Sequence, residues 1–145
     1  MGYDRPMTAT RPAGTLTLIS QLSKTAIRNT PESLLGMPLR HYAALAYIAE
    51  QEGMAQQTLC EILMMDANNL VLLLNELEDA GLVDRVRDPA DRRRHLVQMT
   101  DDGLARFDRA RKARSAVEDQ VLRSLSAAER DDLHRLLAKA LDKDG

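Results

Sequence analysis

The sequence has little of what enzymes, metalloproteins and secreted proteins depend on. It contains one cysteine, no tryptophan and 3% aromatic residues in 145 positions. The single cysteine, Cys60, excludes an intramolecular disulfide, and the three histidines are too scattered for zinc-ligand spacing. Motifs for a catalytic nucleophile, a metal cluster or a phosphate-binding glycine loop are also missing. We therefore expect a protein that is not an enzyme and that carries no metal or cofactor.

Long apolar runs are missing as well. A stretch of roughly 18 apolar residues, the length needed for a membrane-spanning helix, does not occur, and the N-terminal segment has no apolar core. We expect no membrane span, a cytoplasmic location and a flexible arm over residues 1–14. The formal net charge of −2 excludes a uniformly cationic surface. Any binding of nucleic acid must therefore depend on local clustering of positive charge.

Such a cluster lies between Arg85 and His95, where five arginines accompany two aspartates. Two β-prone segments, 82–85 and 95–99, flank a turn-rich connection that contains Pro89. This pattern predicts a hairpin with a cationic tip. The alternative interpretation is a solvated charged turn, although so many arginines with few acids would repel one another.

Apolar residues recur at helical spacing through most of the remaining chain, which predicts a mostly α fold. The helix over 67–80 has Asp66 as a candidate N-cap and is followed by Gly81, a residue suited to the left-handed conformation at a helix end. A short helix, a tight link and this helix have the spacing of a helix-turn-helix, although the usual glycine is missing from the link. Thr100 can cap the long helix after the hairpin. The helices are expected over about 15–29, 38–53, 56–63, 67–80 and 101–125, with a last one after Ser126.

A helix followed by a basic hairpin is a winged helix-turn-helix, a fold that binds DNA. The outward face of the helix over 67–80 carries Asn68, Leu72 and Asn75, and asparagine can pair with adenine while an aliphatic group contacts a thymine methyl. The first helix and the last two carry more apolar surface than the winged part needs. We expect a second copy of the chain to cover it, since a two-fold dimer places two recognition helices about 34 Å apart on DNA.

The segment 81–103 closely resembles the MarR family of bacterial transcriptional regulators. The matching residues are Gly81-Leu82-Val83, Arg85, Asp88-Pro89, Asp91-Arg92-Arg93 and the Thr100 to Gly103 pair, and the order of elements agrees over nearly the whole chain after Leu16. The resemblance implies a mostly α (α+β) fold in a single domain, 15–145. Its winged helix-turn-helix would span about 38–100 with a two-stranded basic wing, and its dimerisation helices about 15–30 and 101–143.

The resemblance also implies a homodimeric repressor of a pseudo-palindromic operator, released by a small aromatic or lipophilic ligand or by thiol oxidation. In the family's pattern Arg93 enters the minor groove, where a planar cation recognises groove shape, and Asp91 orients its guanidinium. Arg92 and Arg94 are interpreted as phosphate contacts or support for the tip. The predicted DNA-binding residues are Arg85, Arg87, Asp91, Arg92, Arg93 and Arg94 of the wing, Asn68, Asn69, Val71, Leu72 and Asn75 of the recognition helix, and Gln56 and Gln57 of the helix before it.

Three further features leave alternatives open. The resemblance places an effector cleft near His41, Tyr42, Phe107 and Arg111, although these residues could equally belong to the core or an interface. Cys60 lies beside Leu59 and is interpreted as a small buried core residue, not a redox switch, because the sensing cysteine of the family lies near the N-terminus. The acidic Glu76 and Asp79 and the apolar Leu72 are compatible with a protein-interaction module that does not bind DNA.

Overall fold

The structure is a computed structural model that describes residues 13–142. Most of the predicted arm, residues 1–12, lies outside the described residues. The elements confirm the predicted mostly α fold with a small β-sheet. In chain order they are α1 (Thr15–Arg28), α2 (Glu32–Leu35), α3 (Leu39–Ile48), β1 (Met54–Ala55), α4 (Gln56–Leu63), α5 (Ala67–Asp79), β2 (Val83–Arg87), β3 (His95–Met99), α6 (Asp101–Val121) and α7 (Ala127–Leu141).

The sheet is antiparallel with the strand order β1-β3-β2. Strands β2 and β3 form the predicted hairpin, with Val83 opposite Met99 and Arg87 opposite His95. Strand β1 was not predicted, because two residues are too short to show an alternating pattern. The predicted end of the second long helix at Gly53 was wrong. Helix α3 ends at Ile48, and the chain then turns so that the buried Met54 can pair with Val97.

The chain divides into two compact units, and one of them, residues 30–116, is called the winged unit. Its core is a continuous apolar cluster that α2, α3, α4, α5, the sheet and the first part of α6 supply. Helical spacing predicts an inward stripe of Leu70, Leu73, Leu74, Leu77 and Ala80 on α5; the four leucines are buried, whereas Ala80, which follows the last residue of the helix, is exposed. Burial of one apolar face fixes the rotation of α5 about its axis and leaves the polar positions on its outside.

The junction between α5, the wing and α6 depends on two glycines. Gly81 adopts a φ of +75°, as predicted for the residue that ends α5. The Thr100 hydroxyl donates to the Gly81 carbonyl over 2.6 Å and accepts from the Gly103 amide over 2.9 Å, so Thr100 caps α6. A Cβ at Gly103 would lie 2.0 Å from the Leu82 carbonyl oxygen. The first turn of α6 can therefore approach the start of the wing only because position 103 has no side chain.

The other unit comprises, among the described residues, 13–29 and 117–142, and is called the helical unit. It contains α1, α7 and the last turn of α6, and no residue of α1 or α7 is buried. The capping box predicted at Ser126 and Glu129 is present. Helix α6 ends at Val121 and not near Leu125, because a turn follows it before Ser126 starts α7. Over residues 13–142, no helix is long and apolar enough to cross a membrane.

Candidate nucleic-acid interface

Two aspartates organise the tip of the wing. Asp88 accepts the amide of Ala90 through its carboxylate over 2.9 Å and donates its own amide to the carbonyl of Arg94 over 2.9 Å. The carboxylate of Asp91 accepts the amide of Arg93 over 3.0 Å. The two bonds to the carboxylates form Asx-type turns, in which a short acidic side chain accepts from the backbone amide two residues further along. The tip is therefore an ordered loop, and its aspartates act on the backbone.

Arg93 projects from this loop with 94% of its side chain exposed, and its Nε lies 3.6 Å from the Asp91 carboxylate. The pairing of Asp91 with Arg93 that the sequence predicted is therefore present in the geometry, while the guanidinium stays accessible. Arg92 and Arg94 on either side are exposed as well. The side chain of Arg87 reaches back to the Arg92 carbonyl over 3.4 Å and supports the base of the tip.

The link between α4 and α5 forms the turn of a helix-turn-helix without glycine. Met64 takes the left-handed conformation, with a φ of 54°, that glycine would adopt more easily. Asp66 caps α5 as predicted, and its carboxylate accepts both the backbone amide of Asn69 and the side-chain amide of Asn69, over 2.8 and 2.9 Å. Asn69 is thereby part of the cap, while Asn68 remains exposed beside it.

Helix α5 presents Asn68, Val71, Leu72 and Asn75 outward, as the helical spacing predicted. Leu72 is 61% exposed, so it does not pack into the core. Two acidic residues of the same helix, Glu76 and Glu78, are instead hydrogen-bonded to side chains of neighbouring elements.

Glu76 connects α5 to α3. Its Oε2 accepts hydrogen bonds from Nε2 of His41 over 2.8 Å and from Nε and the terminal nitrogen of Arg40 over 3.2 and 3.1 Å. These donors, His41 first and Arg40 second, hold the pKa of the Glu76 carboxyl below its ordinary value of 4.5. The negative charge of Glu76 is therefore neutralised within the protein, which weakens one of the features that favoured an interaction module.

Arg85 connects α5 to the wing. From β2 its Nε donates to Glu78 Oε2 over 2.7 Å, and its terminal nitrogen donates to Asn75 Oδ1 over 2.6 Å. The Arg85 hydrogen bond lowers the pKa of the Glu78 carboxyl. The two accepting residues are three apart on a helix and so lie on adjacent turns of one face. The sequence placed Arg85 and Asn75 separately among the DNA contacts, and the structure joins them.

A cleft of about 280 Å³ lies between α4, the start of α5 and the tip of the wing. It brings together residues that the sequence predicted for DNA binding from different elements, namely Gln56, Gln57, Arg93 and Arg94. Small or apolar groups line the rest of the cleft. His95 lines it beside Arg93 and Arg94, and the sequence reasoning did not predict this position for His95. The position of His95 directly after three arginines was the available signal.

Cys60 lines the same cleft, so the prediction of a small buried core residue is met only in part. The residue is half-buried, packs against the core and donates its thiol hydrogen to the Met65 carbonyl over 2.8 Å. It lies on the side of α4 that faces the wing, a distinction that its neighbour Leu59 did not reveal. Among residues 13–142, no three His, Cys, Asp or Glu side chains are grouped to hold a metal ion.

The residues predicted for an effector cleft are only partly brought together. Tyr42 stacks on Phe107, with ring centroids 5.4 Å apart and planes inclined by 27°. His41 is directed to Glu76 of α5, and Arg111 pairs with Asp108 over 3.2 Å on its own helix. His134 lies on α7 and is exposed.

Two curated relatives are similar to the chain over most of its length. A candidate regulator of the hcr operon in Thauera aromatica is 33% identical over 71% of the chain, and the chain spans 62% of that protein. The transcriptional regulator HosA of Escherichia coli O111:H- is 32% identical over 70% of the chain and 75% of its own length. These relatives are named as transcriptional regulators, not as enzymes.

Solved structures share the fold. A cysteine-to-serine variant of MarR from E. coli, complexed with operator DNA, superposes with a TM-score of 0.72 and 26% identity over 87% of this chain and 92% of the other. The regulator PcaV of Streptomyces coelicolor, in complex with its natural ligand, superposes with a TM-score of 0.69 and 25% identity over 97% of this chain and 99% of the other. The family model described as MarR family matches residues 35–94, most of the winged unit. From these matches and the winged helix-turn-helix geometry, the chain belongs to the MarR family of transcriptional regulators.

Proposed function

We propose that the chain is a DNA-binding transcriptional repressor that works as a homodimer in the cytoplasm and releases its operator when a small aromatic or lipophilic ligand binds. The observation that carries this proposal is the cleft with its cationic wing, where Arg93 projects from an ordered loop beside Gln56 and Gln57. Arg93 would enter the minor groove, while the outward face of α5 would lie in the major groove. Arg92, Arg94 and the two glutamines would contact phosphates.

DNA binding is tested by the salt dependence of affinity for duplexes from the region upstream of the protein's own gene. Each phosphate contact should steepen the slope of log affinity against log salt by about 0.9. Arg93→Ala should lower affinity at least tenfold with fold and oligomeric state unchanged. Arg135→Ala in α7 removes the same charge from an exposed residue outside the winged unit and should leave binding intact. Failure of the wild-type protein to retain any duplex at low salt would contradict the proposal.

The homodimer is supported by the apolar surface of the helical unit. Leu16, Ile19 and Ile27 of α1 are 79%, 42% and 53% exposed, and apolar surface of this extent is usually covered by a partner. A second copy satisfies the symmetry of a pseudo-palindromic site. Ile19→Asp should therefore shift a dimer towards monomer in sedimentation analysis, and the monomer should lose operator affinity. Gln21→Asp, at an exposed polar position on the same helix, adds the same single negative charge and serves as the control. A wild-type protein that stays monomeric at micromolar concentration would contradict the homodimer.

Ligand release is supported by the stacked Tyr42 and Phe107 and by the ligand complex of PcaV. Aromatic rings favour a planar apolar ligand. Thermal shift assays with small aromatic acids should raise the melting temperature, and the active compounds should displace the operator. Tyr42→Ala should abolish both effects. Transcription in vitro from a bound promoter decides the sign of regulation, and activation would contradict the role as a repressor.

A protein-interaction module is the second candidate function. The exposed Leu72 and Met64 favour it, because they place apolar groups on the helix-turn-helix surface. Arg93→Ala separates the two candidates, since it would weaken operator binding at least tenfold but leave capture of a protein partner unchanged.

A further inference from the structure

Arg85 is held too tightly to act as an ordinary phosphate contact. Only 24% of its side chain is exposed, and two of its guanidinium nitrogens donate to acceptors on α5, 2.7 and 2.6 Å away. By contrast, 94% of the Arg93 side chain is exposed. These bonds use two of the five N–H donors of Arg85, so a phosphate contact would have to be made by the remaining donors of a side chain that is mostly covered and held against α5.

The bond to Arg85 also determines which way the Asn75 side chain faces. A guanidinium has donors only, so the Asn75 atom that lies 2.6 Å from it must be the carbonyl oxygen. The amide nitrogen, with its two hydrogens, is therefore the polar atom of Asn75 that Arg85 does not hold. Asn75 is exposed on the outward face of α5, the face that the proposed function directs towards the duplex.

We propose that Arg85 determines specificity indirectly, by holding Oδ1 of Asn75 so that the Asn75 amide acts as a hydrogen-bond donor towards the base edges of the major groove. This inference rests on the proposed function of DNA binding. A free asparagine pairs with adenine through both its oxygen and its nitrogen, but here the oxygen is engaged by Arg85. Guanine presents two adjacent acceptors, N7 and O6, whereas adenine presents one acceptor beside a donor. Asn75 should therefore favour guanine over adenine at one position in each half-site.

The experiment is selection of bound duplexes from a randomised pool by the purified full chain, combined with the salt slope on the preferred duplex. The wild-type protein should show guanine at the Asn75 position. Arg85→Lys keeps the positive charge but lacks the second donor in the fixed geometry of a guanidinium. Arg85→Lys should reduce the preference for guanine over adenine roughly tenfold, and only at the base that Asn75 contacts. The slope of log affinity against log salt should be unchanged. Arg85→Ala should give the same loss of discrimination, again without a change in slope.

Asn75→Asp provides a second, independent variant that keeps the partner of Arg85. Its carboxylate still accepts from Arg85 and presents an acceptor where the amide presented donors, so the preferred base should change from guanine to cytosine, whose N4 is a donor. Circular dichroism and sedimentation confirm that each variant keeps its fold and oligomeric state.

The outcomes are distinguishable. A slope reduced by about 0.9 in Arg85→Ala, with the base preference retained, would show that Arg85 is a phosphate contact and would overturn the inference. A base preference that neither Arg85→Lys nor Asn75→Asp alters would overturn it as well, as would selection of adenine by the wild-type protein. If the wild-type protein bound no duplex, or Arg93→Ala had no effect, the proposed function itself would fail.

Discussion

The winged unit buries a continuous apolar core, whereas α1 and α7 of the helical unit bury no residue at all. The composition of the two parts does not explain this difference, because leucine and isoleucine recur at helical spacing in both. In the winged unit, three strands and several short helices surround the apolar face of α5. Apolar helices that remain exposed require another surface to cover them. The winged unit therefore covers its apolar face within the chain, whereas the proposed homodimer would cover that of the helical unit.

The largest expected effect comes from shortening a side chain in the core of the winged unit. Leu74 is fully buried, so Leu74→Ala should lower the free energy of unfolding by about 2–5 kcal/mol at every protein concentration. Leu16→Ala removes the same atoms from an exposed position in α1, and its effect should appear only where the dimer is populated. Urea unfolding at several protein concentrations measures both. If Leu16→Ala lowered the free energy of unfolding as much as Leu74→Ala, and equally at every protein concentration, the two units would not differ in their dependence on association.

A second, smaller effect is expected at Gly103. Because an added Cβ would lie 2.0 Å from the Leu82 carbonyl oxygen, Gly103→Ala must displace α6 from the start of the wing. We expect a loss of about 1–3 kcal/mol in urea unfolding, the usual cost of forcing atoms into a packed region. Gly14→Ala, beside α1, is the matched control, since nothing lies within 4 Å of its added Cβ. If the two variants unfold alike, the close approach at Gly103 is not a constraint on the winged unit.

Acid should weaken the ion pairs that connect Glu76 and Glu78 of α5 to α3 and β2 in the winged unit. The pKa values of Glu76 and Glu78 are lowered in the folded protein by His41, Arg40 and Arg85. Their ion pairs therefore contribute stability above the ordinary pKa of 4.5, and this contribution is lost as the pH falls through the lower folded values. Glu76→Gln should make the decline of the unfolding free energy below that pH shallower, as measured by urea unfolding along a pH series.

The helical unit offers the matched control for this pH effect. The pKa of Glu129 is lowered first by a hydrogen bond from the Ser126 backbone amide and second by one to the Ser126 side chain, in the capping box of α7. Ser126→Ala removes the side-chain contribution, retains the backbone amide and does not touch α5, so operator affinity should keep its wild-type pH dependence. Glu76→Gln should alter this pH dependence, since Glu76 connects the proposed recognition helix to α3. Identical pH profiles of operator affinity in Glu76→Gln and the wild type would show that the contact between Glu76 and α3 has no influence on binding.

The smallest expected effect is a gain in stability at the turn between α4 and α5. Met64 has a positive φ, a conformation that costs a residue with a side chain about 1–2 kcal/mol, while glycine loses more freedom on folding. Met64→Gly should therefore stabilise the winged unit by about 0.5–1 kcal/mol, as measured by the melting temperature. Gly36→Ala, at a φ of +79° with open space around it, makes the opposite change and should destabilise the protein. A destabilised Met64→Gly would mean that the turn carries no strain.

Most of the fold could be predicted from local patterns. Helical spacing predicted α1, α4 and α5 to within a residue or two, and Asp66, Gly81, Thr100 and Ser126 were correctly interpreted at the ends of helices. Strand β1 and the early ends of α3 and α6 were missed. Their signals are not local, because β1 exists only through its pairing with Val97 on a distant strand.

The candidate site was predicted less completely than the fold. The exposed face of α5 and the arginine tip followed from residue type and short spacing, and the pairing of Asp91 with Arg93 followed from the resemblance to the MarR family. The half-buried position of Cys60 and the place of His95 on the rim of the cleft did not. Both depend on where the wing folds back over α4, and no local pattern encodes that approach.

The sequence by itself determined the order of the helices and the cationic wing, because capping residues, apolar periodicity and charge clusters act over a few residues, and the resemblance of residues 81–103 indicated the family. Only the tertiary structure decided the partners of the polar residues on α5. Glu76 accepts from His41, 35 positions away, and Asn75 accepts from Arg85, ten positions away across the turn into the wing. Such pairs form when packing of the apolar core brings separate elements together, so the direction in which Asn75 presents its donors is a property of the folded chain.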